Sequence, residues 1–195
     1  MPFTSEDQLQ LLKLLARRSI AERRAKAAAD ASGESAETTD ESAAESAAAL
    51  PTSWRLLPES AELFPWQTEA LATWLKQRRG TVKVATGGGK TWFALAAAQE
   101  AQRQLDQDLR VVIVVPTIPL MHQWVDDLKN SNLPPEAIGM LGGGQECHFG
   151  EPVRIVVAVL NSARRLLPNI VKKAGITKHL LLVVDECHRA HAKES

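Results

Sequence analysis

The chain has 195 residues, of which 45% are hydrophobic and 24% are charged, and its 23 basic residues balance 23 acidic ones. This length suits one domain of ordinary size, and zero net charge argues against a strongly basic protein that coats nucleic acid. Two cysteines cannot form a disulfide framework, so we expect a reducing, cytoplasmic location. No apolar run approaches the roughly 20 residues that cross a bilayer, so no membrane partner is expected.

The first 50 residues differ in composition from the remainder of the chain. Residues 1–29 carry apolar side chains at helical spacing together with a basic cluster, which predicts an N-terminal helical segment. Its acidic residues and the absence of an apolar signal region argue against a targeting peptide, which leaves a docking helix or a solubilising tail. The apolar positions are Leu9, Leu12, Leu15 and Ile20.

Residues 30–50 are predicted to form a disordered acidic linker rich in alanine and serine. From Asp30 to Ala49 the chain contains six acidic residues, no basic residue and no large apolar side chain. Such a segment cannot offset its ordering entropy, which is roughly 1–2 kcal/mol per residue for the backbone.

Residues 51–195 show apolar runs that alternate with helical patterns, which is typical of an α/β domain with a parallel sheet flanked by helices. Helices are predicted at Trp66–Arg78, Lys90–Leu105, Pro119–Lys129 and Ser162–Lys173. Strands are predicted at Thr81–Ala85, Arg110–Val115, Ile138–Leu141, Arg154–Leu160 and His179–Val184.

Four of these strands end in polar or glycine-bearing clusters, which should share one edge of the sheet, where parallel α/β domains bind ligands. The first cluster is typical of a phosphate-binding loop of the Walker A type and reads Thr86-Gly87-Gly88-Gly89-Lys90-Thr91. Glycines let backbone N–H groups surround phosphate oxygens, Lys90 can reach the β and γ phosphates of ATP, and the Thr91 hydroxyl can bind Mg²⁺. The strict pattern has glycine where this chain has Val84, and an ordinary strand-to-helix turn is the alternative.

The last cluster places two acids at the end of an apolar strand. Asp185 is predicted to hold Mg²⁺, and Glu186 to act as the general base that polarises the attacking water. Two carboxylates at the end of a buried strand are costly unless they meet a cation, although Asp185 could also be a helix cap. Together with Lys90, these acids predict one ATPase site.

The two clusters resemble motifs I and II of the superfamily 2 helicases, in the DECH form Asp185-Glu186-Cys187-His188. The resemblance is strongest to the branch of the excision-repair helicases and restriction-enzyme motor subunits, in which the position of Val84 is often aliphatic. It implies a RecA-like P-loop NTPase domain, ATP and Mg²⁺ as ligands, and a role for His188 in coupling hydrolysis to a second domain. It also implies DNA rather than RNA as partner.

Three further segments resemble motifs of the same family. Gln67, which follows Trp66, matches the glutamine that reads adenine, although a helix start with a buried tryptophan would give the same pattern. Thr117 resembles motif Ia and Asn161 resembles motif Ib, both of which imply contacts with the nucleic-acid backbone. Plain helix capping is the alternative for these two residues.

Two other patterns point to no site. Cys147-His148 and Cys187-His188 could suggest zinc, but the chain has no C-x-x-C pair, so free thiols are preferred. Gly142–Gly144 is not followed by Lys-Thr, so we interpret it as a flexible turn.

The resemblance implies a motor of two RecA-like domains, and the chain stops seven residues after His188, before motif III. We therefore expect an incomplete first domain with an exposed sheet edge, which needs a second RecA-like domain in cis or in trans for full activity. The alternatives are a non-motor protein that binds nucleic acid or a partner without cycling ATP, and a different P-loop ATPase with only local similarity.

Overall fold

The computed structural model describes residues 50–85 and 87–186. The predicted N-terminal helix and the acidic linker lie outside these residues, except for Leu50, as do Thr86, Cys187 and His188. Within them the helices are α1 Pro65–Gln77, α2 Lys90–Gln104, α3 Ile118–Leu128 and α4 Leu160–Ala174, with a 3₁₀ turn at Pro135–Ala137. The strands are β1 Arg110–Val115, β2 Ile138–Leu141, β3 Ile155–Val159 and β4 Leu180–Val184.

The four strands form one parallel sheet in the order β2-β3-β1-β4. Strand β1 is buried over its last five residues, and such runs of valine and isoleucine suit a strand covered on both faces. In its register, Val115 lies opposite Val159 of β3, and Val114 lies opposite Val184 of β4. The carboxyl ends of β1, β3 and β4 therefore meet at one edge, as the sequence predicts.

Helices cover the sheet from both sides, and alternate residues of β1 face the two layers. Val111, Ile113 and Val115 belong to a large apolar core with α1, α2 and α3. Val112 and Val114 belong to a smaller core with α4 on the opposite face. The period of two along the strand and the apolar stripes of the helices produce this three-layer arrangement.

The prediction of a strand at Thr81–Ala85 is wrong, because this segment forms no strand in the structure. Its exposure alternates, with Val82 and Val84 half-buried and the other residues exposed, which is the pattern of an extended segment. Residues 81–85 and 181–184 line the same cleft, and β4 pairs only with β1 among the described strands. A strand needs an extended backbone and a neighbouring strand to which it is hydrogen-bonded. The hydropathy pattern indicates only the extended backbone.

Strand β4 lies at the edge of the described sheet. Within residues 50–85 and 87–186 no strand pairs with the outer side of β4. Leu182 is 51% exposed and Val184 is 38% exposed, although both lie in an apolar strand. An edge of this kind presents unpaired backbone groups next to apolar side chains.

The described part of the chain contains no helix that is both long enough and apolar enough to cross a membrane.

Candidate functional site

The glycine loop after Ala85 turns the chain sharply into α2. Gly87 and Gly89 have φ values of +78° and +85°, a backbone conformation that favours glycine, and Gly89 directly precedes the first residue of α2. Consecutive backbone N–H groups at such a turn, together with the positive end of the helix, form a cradle for an anion.

Val84 explains why Gly88 must lack a side chain. A Cβ atom on Gly88 would lie within 3.0 Å of Val84 Cγ1 and at 3.0 Å from the carbonyl oxygen of Ala85. The valine that departs from the strict phosphate-loop pattern therefore packs directly against the loop. Gly88, four residues after Val84, leaves room for the valine side chain because glycine has no Cβ atom.

Lys90 folds back over the loop from the first turn of α2. Its Nζ donates hydrogen bonds to the carbonyl oxygens of Val84 at 3.1 Å and Ala85 at 3.3 Å. The ammonium group is thus held beside the two residues that precede the glycine loop. Lysine in this position presents a point charge to a bound phosphate.

Asp185 follows β4, and both of its carboxylate oxygens are held. Its backbone N–H donates to the carbonyl oxygen of Val114 at 2.9 Å, which continues the ladder with β1. Oδ2 accepts a hydrogen bond from Trp124 Nε1 at 3.1 Å, and Oδ1 accepts one from the backbone N–H of Glu186 at 2.9 Å. The carboxylate is therefore fixed in orientation at the end of the strand.

Glu186 adopts φ +50°, which is unusual for a residue with a side chain. The left-handed region costs such a residue about 1–2 kcal/mol, and strain of this kind is concentrated at functional sites. The N–H of the same residue donates to Oδ1 of Asp185.

Lys90, Asp185 and Glu186 line one cleft of about 1420 Å³. The cleft lies between α1, α2, residues 79–85 and β4, and Trp124 of α3 also contributes to its wall. The structure therefore brings together the lysine of the first cluster and the acids of the last one, although they are about half the chain apart.

The donor set in the cleft fits a magnesium ion. Mg²⁺ usually binds through one or two carboxylates together with phosphate oxygens and water, so it does not require a cage of protein ligands. Asp185 and Glu186 supply adjacent carboxylates in the cleft, whereas Thr91, which follows Lys90 in the first turn of α2, is not among the residues that line it. Among residues 50–85 and 87–186, no group of three or more His, Cys, Asp and Glu side chains could hold a metal ion.

Gln67 connects α1 to the glycine loop, a role that the sequence did not reveal. Its side chain is fully buried, its Nε2 donates to the carbonyl oxygen of Gly89 at 2.8 Å, and its Oε1 accepts from the N–H of Phe64 at 2.7 Å. Next to it, Trp66 stacks on Phe93 of α2 with ring centroids 5.9 Å apart. The contact with adenine stays a prediction.

Thr117 and Asn161 are exposed at the starts of α3 and α4, at the same edge of the sheet. Thr117 precedes α3, but its side chain makes no capping hydrogen bond, and the residue before α4 is Val159 rather than Asn161. The alternative of plain helix caps therefore loses its main support. Their contact with nucleic acid stays a prediction.

The glycine turn after β2 joins the starts of these two helices. A Cβ atom on Gly143 would lie 3.1 Å from Ile118 of α3, and one on Gly142 would lie 3.0 Å from Ser162 of α4. The turn is closed by a hydrogen bond from the Gly142 N–H to the carbonyl oxygen of Gln145 at 2.9 Å. The sequence interpretation as a turn is confirmed, and its glycines are explained by positive φ at all three positions and by close packing at Gly142 and Gly143.

Cys147 is a free, half-buried thiol on the far side of the sheet. Burial raises the pKa of the Cys147 thiol above its usual range. Its Sγ lies 3.7 Å from the carbonyl oxygen of His148, beside a separate cavity of about 490 Å³ against α4.

Comparison with known proteins places these features in a family. The family described as "Type III restriction enzyme, res subunit" matches residues 60–195. The DNA 3'-5' translocase XPB2 of Sulfurisphaera tokodaii is 33% identical over 134 residues, which are 68% of this chain and 26% of that protein. The chain therefore spans about a quarter of the length of this curated relative.

Solved structures of the UvsW helicase from bacteriophage T4 share the fold. One is 24% identical with a TM-score of 0.51 and covers 66% of this chain and 44% of that chain. A second is 20% identical with a TM-score of 0.52 and covers 68% and 26%. Together with the parallel sheet, these likenesses confirm the expected RecA-like fold class.

Proposed function

Because the chain belongs to the family of the Type III restriction enzyme res subunit, and carries the N-terminal domain of a superfamily 2 helicase, we propose that it binds Mg²⁺–ATP and serves an ATP-dependent DNA translocase. The observation that carries this proposal is the meeting of Lys90, Asp185 and Glu186 in one cleft at the carboxyl edge of the sheet. The family match argues against the alternative of an unrelated P-loop ATPase.

Lys90, Asp185 and Glu186 line the cleft, and the other predicted site residues are assigned parts by their motifs. The loop Thr86–Gly89 surrounds the phosphates with N–H groups, and Lys90 binds the β and γ phosphate oxygens. Thr91 and Asp185 would hold Mg²⁺, which would supply positive charge beside the phosphates. Glu186 accepts a hydrogen bond from the attacking water and takes its proton. The assignment of Gln67 to adenine rests on the family motif alone, because in the structure its side chain is fully buried and bonds to Phe64 and Gly89.

The nucleic acid binds along the starts of α3 and α4, where Thr117 and Asn161 contact backbone phosphates. Exposed hydroxyl and amide groups at helix starts suit phosphate contacts that carry no base information. The relative named as a DNA translocase supports DNA over RNA. The free thiol Cys147 is consistent with action in the reducing cytoplasm.

Hydrolysis at a useful rate requires a second RecA-like domain, supplied in cis or in trans. An arginine finger from such a domain contributes roughly 10³–10⁵ in rate in phosphoryl transfer. His188 would pass the state of the ATP site to that domain. The greater length of the curated relative, of which this chain spans 26%, supports the requirement.

ATP turnover with and without single-stranded DNA tests the proposed function. We expect Mg²⁺–ATP binding by the chain, slow turnover, and weaker DNA binding after Thr117→Ala or Asn161→Ala. Turnover that DNA stimulates would mean that the motor is completed in trans by self-association. DNA binding without ATP binding would instead favour the non-motor alternative and contradict the proposal.

A further inference from the structure

We infer that Trp124 is a positioning residue that sets the orientation of the Asp185 carboxylate and links it to the helix on the DNA-binding side. The inference rests on the proposed function, since it assigns Asp185 to Mg²⁺. The observation behind it is the hydrogen bond of 3.1 Å from Trp124 Nε1 to Asp185 Oδ2, between residues 61 positions apart in the chain.

The hydrogen bond from Trp124 to Asp185 comes from a ring that packing holds in one orientation. Trp124 is only 3% exposed and packs in the large core together with Met121 and Leu128 of the same helix. An indole N–H donates and cannot accept, so it needs an acceptor when it is buried. Asp185 supplies that acceptor, and a packed ring leaves the N–H little freedom to point elsewhere.

Trp124 leaves the metal-binding capacity of the carboxylate available. Each carboxylate oxygen can accept about two hydrogen bonds or ligand contacts. Among residues 50–85 and 87–186, Oδ2 accepts a hydrogen bond from Trp124 and Oδ1 accepts one from the N–H of Glu186. These two donors fix the plane of the carboxylate, and a single hydrogen bond uses only part of the accepting capacity of each oxygen.

The same helix carries the start of the proposed DNA-binding surface. Thr117 precedes α3, its carbonyl oxygen accepts from the Met121 N–H at 3.1 Å, and Trp124 lies two turns farther along. Seven residues of α-helix span about 10 Å, so a displacement of the helix start by DNA would shift the indole N–H against Asp185. Thermodynamic linkage then requires that DNA and Mg²⁺–ATP change each other's affinity by the same factor.

The test compares Trp124→Phe with Trp54→Phe. Both changes remove an indole N–H and keep an aromatic ring, and Trp54 is 4% exposed in the same core but does not line the cleft. The dissociation constant of a fluorescent ATP analogue is measured in excess Mg²⁺ and in EDTA. The ratio of the two constants gives the gain in affinity that Mg²⁺ provides.

We expect Trp124→Phe to lower this gain by roughly tenfold, the effect of losing one hydrogen bond to a charged group. Affinity in EDTA should stay within about twofold of the unmodified chain, and Trp54→Phe should leave the gain unchanged. The effect of single-stranded DNA on the affinity for Mg²⁺–ATP should also shrink in Trp124→Phe.

An unchanged gain in Trp124→Phe would overturn the inference. If binding weakened equally in Mg²⁺ and in EDTA, the gain would be unchanged, and Trp124 would only support the fold. If Trp124→Phe unfolds, an isosteric amino acid with benzothiophene in place of indole at position 124 removes the N–H and keeps the shape. Absence of any Mg²⁺ gain in the unmodified chain would contradict the proposed metal site itself, a result distinct from failure of the Trp124 role.

Discussion

Gly88→Ala tests whether Val84 and the glycine loop are packed as closely as the structure has them. The added Cβ atom would meet Val84 Cγ1 at a separation that real Cβ atoms essentially never show, and the carbonyl oxygen of Ala85 at 3.0 Å. Overpacking of this kind costs about 1–3 kcal/mol. We expect the free energy of unfolding to fall by that amount, or the loop to shift with a loss of ATP affinity.

The assay is urea unfolding followed by circular dichroism, with ATP binding measured on the same samples. Gly80→Ala is the matched control, because no atom lies within 4 Å of the position that its Cβ would take. Its unfolding free energy should stay within about 0.5 kcal/mol of the unmodified chain or rise slightly.

Val84→Ala combined with Gly88→Ala identifies the source of the clash. Removing the valine methyl groups should recover part of the lost stability, leaving the contact with the Ala85 carbonyl oxygen, so the two changes should be coupled by about 0.5–2 kcal/mol. If Gly88→Ala behaves like Gly80→Ala, or if the double variant is strictly additive, the packing account of the loop is refuted.

Three further changes probe the surroundings of the site. Gln67→Ala should lower the free energy of unfolding by about 1–3 kcal/mol in urea, since it leaves buried partners unpaired, whereas the exposed Gln77→Ala should have little effect. Thr117→Ala should weaken binding of fluorescent single-stranded DNA by roughly threefold, and unchanged anisotropy titrations would argue against its phosphate contact. Leu182→Lys, on the exposed strand β4, should reduce any self-association of the chain measured by sedimentation velocity. An equal reduction by Leu105→Lys at the end of α2 would show that the added positive charge, and not the strand edge, is the cause.

The sequence predicts the strands of the sheet well where burial on both faces makes a strand a continuous apolar run. Buried parallel strands are continuous apolar runs, and β1 and β2 have the predicted bounds of Arg110–Val115 and Ile138–Leu141. The segment Thr81–Ala85 fails because its apolar residues indicate extension but say nothing of a neighbouring strand. Pairing partners are a property of the assembled sheet.

The sequence also identifies the residues that meet in the cleft but not the contacts that orient them. Lys90 and Asp185 belong to motifs with fixed local spacing, so their residue types are sufficient to find them. The bonds from Trp124 to Asp185 and from Gln67 to Gly89 join segments 61 and 22 residues apart. Only helix packing brings those segments together, and the one signal in the sequence is a tryptophan or glutamine on an otherwise apolar face.

Calorimetric titration of Mg²⁺–ATP into the chain and into Lys90→Ala tests the central claim most directly, with Lys76→Ala as the control for loss of an exposed charge. The account predicts binding to the unmodified chain and to the control, and roughly ten- to hundredfold weaker binding to Lys90→Ala, because a charge-assisted hydrogen bond contributes about 1.5–3 kcal/mol. Circular dichroism should show the same fold in all three. Affinity for ATP that is unchanged in Lys90→Ala would contradict the assignment of the glycine loop and of the cleft built around it.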